Sequence, residues 1–197
     1  MVIKTDKSAF SEVIESSLQT WTGQSWDWDT FPTYGSLTTI ITPKRTWFGL
    51  VYQVYTGSTD PGRTPFAYKK TEQELLAEQP QIFEFLKTTF SCLALGFMEQ
   101  ERIFYQVPPE PPKIHAFIHK SSVLLSKQFF ASSAYLPLIF ASEQIKNKDE
   151  LLLAMLREQK QLGILTEDKL YTIIQTISLL TGNDYRRIKI FSGRLGL

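Results

Sequence analysis

The sequence predicts an α+β protein, with a small N-terminal six-stranded β-barrel that carries a helical insertion, followed by a C-terminal α-helical bundle. All four tryptophans lie in the first 50 residues, among β-branched residues, Gly and Pro, a mixture typical of strands and turns. No proline follows Pro137, and the chain beyond it is rich in helix-forming Leu, Ile, Lys, Glu and Gln. A proline cluster at residues 108–112 precedes the change, so we predict a barrel domain at 1–119 and a helical domain at 120–197.

The barrel is predicted from short strands at residues 12–16, 18–28, 36–42, 46–56, 90–99 and 102–107. In the fourth, alternation places Phe48, Leu50, Tyr52 and Val54 on one face and Trp47, Gly49, Val51 and Tyr55 on the other. Both faces are largely apolar, which indicates a central strand or a filled barrel, with Gly49 relieving crowding at a bend. Closing the sheet satisfies many short strands without exposed edges.

Helices are predicted within and after the barrel. Residues 71–88 read as a helical insertion that Thr71 caps and Pro80 divides. Residues 121–131 and 149–162 form two further helices, the second ending at Gly163. Thr166 and Asp184 then cap two more, the first of which ends at Gly182.

Charge and composition restrict the classes of protein. The 197 residues carry 21 Lys and Arg against 20 Asp and Glu, which excludes a uniformly basic protein. The predicted barrel half holds 10 basic and 13 acidic residues, a net charge of −3, and the helical half 11 and 7, a net charge of +4. With one cysteine, no secretory signal and no apolar run long enough for a membrane span, we expect a cytoplasmic, soluble protein without a disulfide framework.

Few residues suggest catalysis, and we predict that the protein is not an enzyme and uses no cofactor or metal. His115 and His119 are four apart, but they follow a proline cluster in a strand-like pattern with no further ligand nearby, so a structural role is the better interpretation. Cys92 lies in an apolar strand, where a free cysteine acts as a small hydrophobe. Phosphate-binding and hydrolase motifs are missing. A solvated surface position is expected for the carboxylates Asp27, Asp29, Glu99 and Glu101.

Two groups are candidates for nucleic-acid contact. The last predicted helix carries Arg186, Arg187, Lys189 and Arg194, which could bind phosphate or a protein partner, although a solvated helical face is the ordinary explanation. The tryptophans and Tyr34 could stack on bases, but in a small barrel such residues more often fill the core.

Several ordered motifs resemble those of a known family. The strand Gly49-Leu-Val-Tyr-Gln-Val-Tyr55 is followed by the turn Asp60-Pro61-Gly62-Arg63 and, later, by the segment 107–115 (VPPEPPKIH). This order is similar to the G-x-V-Y-x-V, D-P-G-R-x-P and L-P-P-x-P-x-x-I-H segments of HAS-barrel proteins, named for the HerA and ATP-synthase barrels. The likeness covers about residues 10–119, and the helical C-terminus looks like that of standalone bacterial, many of them cyanobacterial, members.

The resemblance implies a barrel that packs into rings and docks partners without catalysing a reaction. In HerA systems the partner is a nuclease, but here helices stand where the ATPase domain would begin, so ATP hydrolysis is not carried over. The turn at Asp60, Pro61, Gly62 and Arg63 is the candidate family motif, and its ordinary role is to determine shape. Our first hypothesis is therefore a non-catalytic interaction or assembly module, an adaptor for a HerA-type ATPase or nuclease in DNA processing or a self-associating protein. The alternative is a nucleic-acid-binding module that uses the basic helix and barrel aromatics. Neither a membrane nor a small-molecule substrate is expected.

Overall fold

A computed structural model describes residues 9–60, 62 and 65–195 of the chain. Within them lie seven strands and seven helices. The strands are β1 (Ala9–Ser16), β2 (Thr20–Ser25), β3 (Leu37–Ile41), β4 (Thr46–Ser58), β5 (Leu86–Glu99), β6 (Arg102–Phe104) and β7 (Phe117–Lys120). The helices are α1 (Glu72–Glu78), α2 (Gln81–Glu84), α3 (Val123–Phe129), α4 (Leu136–Ala141), α5 (Lys148–Gln161), α6 (Glu167–Leu180) and α7 (Tyr185–Arg194).

Six strands close into an antiparallel barrel, as predicted. The ring runs β2-β1-β7-β3-β4-β5 and is closed by pairing of β5 with β2. Strand β7 lies in the ring where strand-like alternation was noted from the sequence, without predicted bounds. The predicted strand at 102–107 is shorter in the structure, and as β6 it pairs only with β5, outside the ring.

The barrel wall is apolar on both sides because its two faces serve different cores. Trp47 and Val51 of β4 point into the barrel, where they join Trp21, Cys92 and other buried side chains. Phe48 and Leu50 lie on the outer side and contribute to a second cluster, together with buried residues of the C-terminal helices. The prediction from alternation is thus confirmed for the first half of β4.

The same prediction is wrong for Val54. Opposite Cys92 and Ser91 of β5, strand β4 holds Val51 and Gln53, so Tyr52 is an additional residue in the ladder. This bulge reverses the alternation beyond it, since a single extra residue moves all following side chains to the other face. Val54 therefore packs against the barrel interior, while Tyr52 packs against the outer cluster.

The insertion between β4 and β5 is helical, as predicted, but shorter. Thr71 caps α1 in a capping box with Glu74, and Pro80 separates α1 from α2. The helical region ends at Glu84, and β5 begins at Leu86 rather than at Phe90. No residue of α1 or α2 is buried.

Five helices follow the barrel, with Ser122, Asn147, Thr166 and Asp184 as N-caps of α3, α5, α6 and α7. Helix α4 is absent from the sequence-based prediction, in which Pro137 only marked the last proline; the structure places it in the first turn, where proline is tolerated. The proposed boundary at 119/120 falls within β7, and the division into two domains stays a prediction. Within the described residues, every helix falls short of the length and apolar character needed to cross a bilayer.

Candidate functional site

The family-like turn is described only in part, since Pro61 and Arg63 lie outside the described residues. Asp60 Oδ1 accepts a hydrogen bond from the backbone N–H of Gly62 at 2.9 Å, and the Asp60 N–H donates to Ser58 Oγ at 3.1 Å. The N–H of Thr59 donates to the carbonyl of Phe85 at 2.7 Å, which ties the turn to the start of β5. These bonds give Asp60 a turn-forming role.

An apolar groove of about 520 Å³ lies between this turn and the helical insertion. Its walls include Phe66, Tyr68, Ile82 and Phe85, and we call it the insertion groove. The rings of Phe66 and Tyr68 lie 4.4 Å apart between centroids. This groove was not predicted from the sequence, although aromatic residues are dense in an otherwise charged insertion.

The insertion exposes apolar side chains together with carboxylates. Phe66 is 69% exposed and Leu76 is 49% exposed. Glu72 and Glu84 are also exposed. Helix α2 is held by stacking of Phe83 on Trp28, with centroids 5.4 Å apart. An apolar surface of this kind, rimmed by charge, is typical of an interaction site.

The four predicted cations of α7 divide into two pairs with different roles. Arg187 donates to both carboxylate oxygens of Asp149 at 2.7–3.2 Å, and Arg194 Nη2 lies 2.6 Å from Glu150 Oε1. The hydrogen bonds to Asp149 raise the pKa of Arg187. These two arginines therefore fasten α7 to the first turn of α5.

The other two cations, Arg186 and Lys189, are exposed and form no ion pair within the part of the chain that the structure describes. They share a helix face with Tyr185, Ile190 and Gly193, which we call the α7 outer face. Tyr185 is 78% exposed and Ile190 58% exposed. This face, basic and apolar together, is the second surface that a partner could cover.

A shallow groove of about 280 Å³ runs beside that face. Its lining includes Arg186, Arg187 and Arg194, but also Asp149 and Asp184. An anion bound there would have to compete with the carboxylates that already hold Arg187 and Arg194. The groove is therefore a weaker anion site than the count of arginines suggests.

The candidate histidines do not form a metal centre. His115 Nδ1 lies 3.1 Å from Glu12 Oε2 at an exposed position, whereas His119 is buried in β7. Among the residues described, no group of three or more metal-binding side chains comes together.

Of the four carboxylates expected at solvated surface positions, Glu99 differs from the expectation. Asp27, Asp29 and Glu101 are exposed, but Glu99 forms an ion pair with Arg45, whose side chain is only 3% exposed. The Arg45 guanidinium also lies over the rings of Trp47 and Phe97, at 5.3 and 5.0 Å. Glu99 is thus part of a structural ion pair.

The tryptophans differ in how deeply they are buried. Trp21 and Trp47 fill the barrel, whereas Trp26 is about half exposed, and its indole N–H donates to Glu12 at 3.1 Å. Stacking on bases is therefore open to Trp26 and not to the two buried rings.

Cys92 is buried inside the barrel, 3.4 Å from the hydroxyl of Thr38. Burial raises the pKa of its thiol from 9.0 to about 12, the opposite of what a catalytic thiolate requires. The unfolded chain therefore loses this proton first, and the thiol lowers folding stability only as the pH rises above about 9.

We expect Cys92 to be unreactive toward an aromatic disulfide reagent in the native protein at about pH 8, and to react fully after unfolding in urea. A Ser132→Cys variant is the control, because Ser132 is exposed and its thiol should label at once. Rapid labelling of native wild-type protein would contradict the buried position.

Comparison with known proteins finds no family model that matches this chain and no curated protein with significant similarity to it. The HAS-barrel resemblance therefore rests on the motifs and their order, and it stays a prediction.

Proposed function

We propose that this protein is a non-catalytic interaction and assembly module, in which the barrel and a C-terminal helical bundle form one scaffold in the cytoplasm. Its partner, by the motif resemblance, is a HerA-type ATPase or a nuclease in DNA processing. The observation that carries the proposal is the insertion, in which no residue of α1 or α2 is buried and the side chains of Phe66 and Leu76 are exposed. Apolar side chains held in this way gain little for the fold and are available to a partner.

The chemistry of the reactive residues supports a non-catalytic role. The only thiol is buried with a raised pKa, and His115 is exposed beside Glu12 rather than in a cleft. A general acid or base needs a pocket in which polar groups converge on a substrate. The insertion groove is instead lined mainly by aromatic and aliphatic side chains, with Ser58, Gln79 and Gln81 as its polar members, which suits a protein partner.

The proposal is tested by affinity capture from the native cytoplasm with cross-linking and identification of the bound protein. Leu76→Glu should abolish capture of an ATPase or nuclease, because it places a charge in the exposed apolar surface. Leu124→Glu is the matched control, since Leu124 of α3 is the same residue type and more exposed than Leu76 (67% against 49%) but lies outside the insertion. If wild type enriches neither class of protein, or both variants capture it equally, the proposal fails.

A nucleic-acid-binding module is the second candidate, favoured by the exposed pair Arg186 and Lys189 beside Tyr185. For it, Arg186→Glu with Lys189→Glu should weaken DNA binding at low salt by about tenfold or more, and lower the salt slope by about two. Titration of a labelled duplex and a labelled single strand measures both quantities. The control Lys127→Glu with Lys146→Glu changes the net charge equally at other exposed positions. Equal loss in both variants, or no binding by wild type at low salt, would exclude this function.

A further inference from the structure

We infer that the protein self-associates head to tail, with the α7 outer face of one copy seated in the insertion groove of a second copy. The inference rests on the proposed assembly function and names its surface. Both surfaces are exposed in the isolated chain, so the two surfaces do not cover each other within one molecule.

One surface is a groove and the other a projecting helix. The insertion groove offers about 520 Å³ between walls that are mainly aromatic and aliphatic, with Gln79 and Gln81 among the polar lining residues. The α7 outer face projects Tyr185 and Ile190, five residues apart on a short helix and both more than half exposed. A helix that places apolar anchors in an apolar groove is a recurrent mode of protein recognition.

The charges are complementary. The insertion, residues 65–85, holds four glutamates and two lysines, a net charge of −2. Lys70 is paired with Glu78, whereas Glu72 and Glu84 are exposed and in the described structure form no ion pair. Lys69 is an exposed cation on the same segment. The free cations of the α7 outer face are Arg186 and Lys189. The same signs hold for the two halves of the chain, with net charges of −3 and +4. Opposite charge steers two copies into one orientation and opposes contact between like surfaces.

Gly193 gives a further indication of close approach at the α7 outer face. A Cβ at this position would meet no atom within 4 Å, so the fold of the single chain does not require glycine there. Glycine within a helix costs roughly 0.5–1 kcal/mol relative to alanine. A partner surface that packs against the helix backbone would account for this residue.

Because the two surfaces differ, the contact is heterologous, and repetition gives either a closed ring or an open chain. A contact made by one ten-residue helix in one groove is expected to bury an area at the lower end of the range for stable interfaces. The association should therefore be reversible and depend on protein concentration.

Sedimentation velocity over a concentration series at low ionic strength tests the inference. Wild type should increase in mass with concentration. Arg186→Glu with Lys189→Glu, and separately Glu72→Lys with Glu84→Lys, should each raise the dissociation constant about tenfold or more. A chain carrying all four reversals should associate again, because each contact then pairs opposite charges.

The matched control is Lys127→Glu with Lys146→Glu, which should associate as wild type does. Gly193→Ala should weaken association without lowering the melting temperature. A monomeric wild type, or a four-reversal chain that stays monomeric while each pair alone weakens association, would overturn the inference. A monomer that still captures an ATPase or nuclease through Leu76 would leave the proposed function standing and reject only this contact.

Discussion

Replacement of Gly49 by alanine is expected to lower the free energy of unfolding by about 3 kcal/mol, through overpacking of the barrel interior. A Cβ at this position would lie 2.1 Å from Cζ2 and 2.5 Å from Cη2 of Trp21. The Trp21 ring is buried and packed among Val51, Cys92 and other interior side chains, so a shift of the ring away from the new Cβ would disturb those contacts. Urea unfolding followed by tryptophan fluorescence measures the loss.

Two variants separate this steric effect from a general intolerance of alanine. Gly193→Ala makes the same chemical change where the Cβ meets nothing, and should leave stability unchanged or slightly higher. Trp21→Phe removes the ring atoms that the new methyl would strike, so adding Gly49→Ala to it should cost less than in the wild type. A Gly49→Ala protein with the same urea midpoint as wild type would contradict this prediction, because it would show that the barrel wall accommodates the methyl group without loss of stability.

The second large effect is expected at the ion pair of Arg45. Glu99→Gln should destabilise the fold by about 3 kcal/mol, because it removes the charge that compensates a buried cation. Arg45 Nε donates to Glu99 Oε1 at 2.7 Å, and the guanidinium lies over the Trp47 and Phe97 rings. Glu110 lies further away, with 3.7 Å between its carboxylate and Arg45 Nη1, and is itself largely exposed, so it compensates poorly. Chemical denaturation at neutral pH measures the difference.

The exposed pair Lys70–Glu78 provides the matched control. Glu78→Gln makes the same substitution at the surface, where such a pair contributes about 1 kcal/mol or less. Combining Glu99→Gln with Arg45→Met should recover part of the loss, since no charge is then left buried without a partner. Equal effects of Glu99→Gln and Glu78→Gln would mean that solvent reaches Arg45.

The elements that sequence predicts well are those fixed by local chemistry. Thr166 and Asp184 begin α6 and α7 as predicted, because their side chains bond to backbone N–H groups three residues on. Val54 is misplaced, since a bulge depends on which residues of β5 lie opposite, and no pattern within β4 reveals it. Helix α4 is missed because a short segment beginning near Pro137 has no periodic signature of its own.

For the candidate site too, the sequence predicts some features, whereas others depend on contacts between distant residues. The sequence identifies the basic residues of α7, but not that Arg187 is engaged by Asp149, which lies 38 residues earlier. Only the packing of α7 on α5 separates the two cations that fasten the helix from Arg186 and Lys189, which face solvent. The insertion groove likewise needs the turn at Asp60 to come close to Phe85, a contact made across the ends of β4 and β5.

The outer wall of the barrel and the C-terminal helices form one apolar cluster, and this has a consequence for aggregation during synthesis. Phe48, Leu50 and Leu95 on the outer wall of the barrel are covered by side chains from helices that leave the ribosome after every strand has been made. A closed barrel can form earlier, yet its wall then presents a wide apolar patch to other nascent chains. The barrel therefore depends on the later helices as an intramolecular cover, and expression of residues 1–122, which retain the whole of β7, should yield insoluble protein.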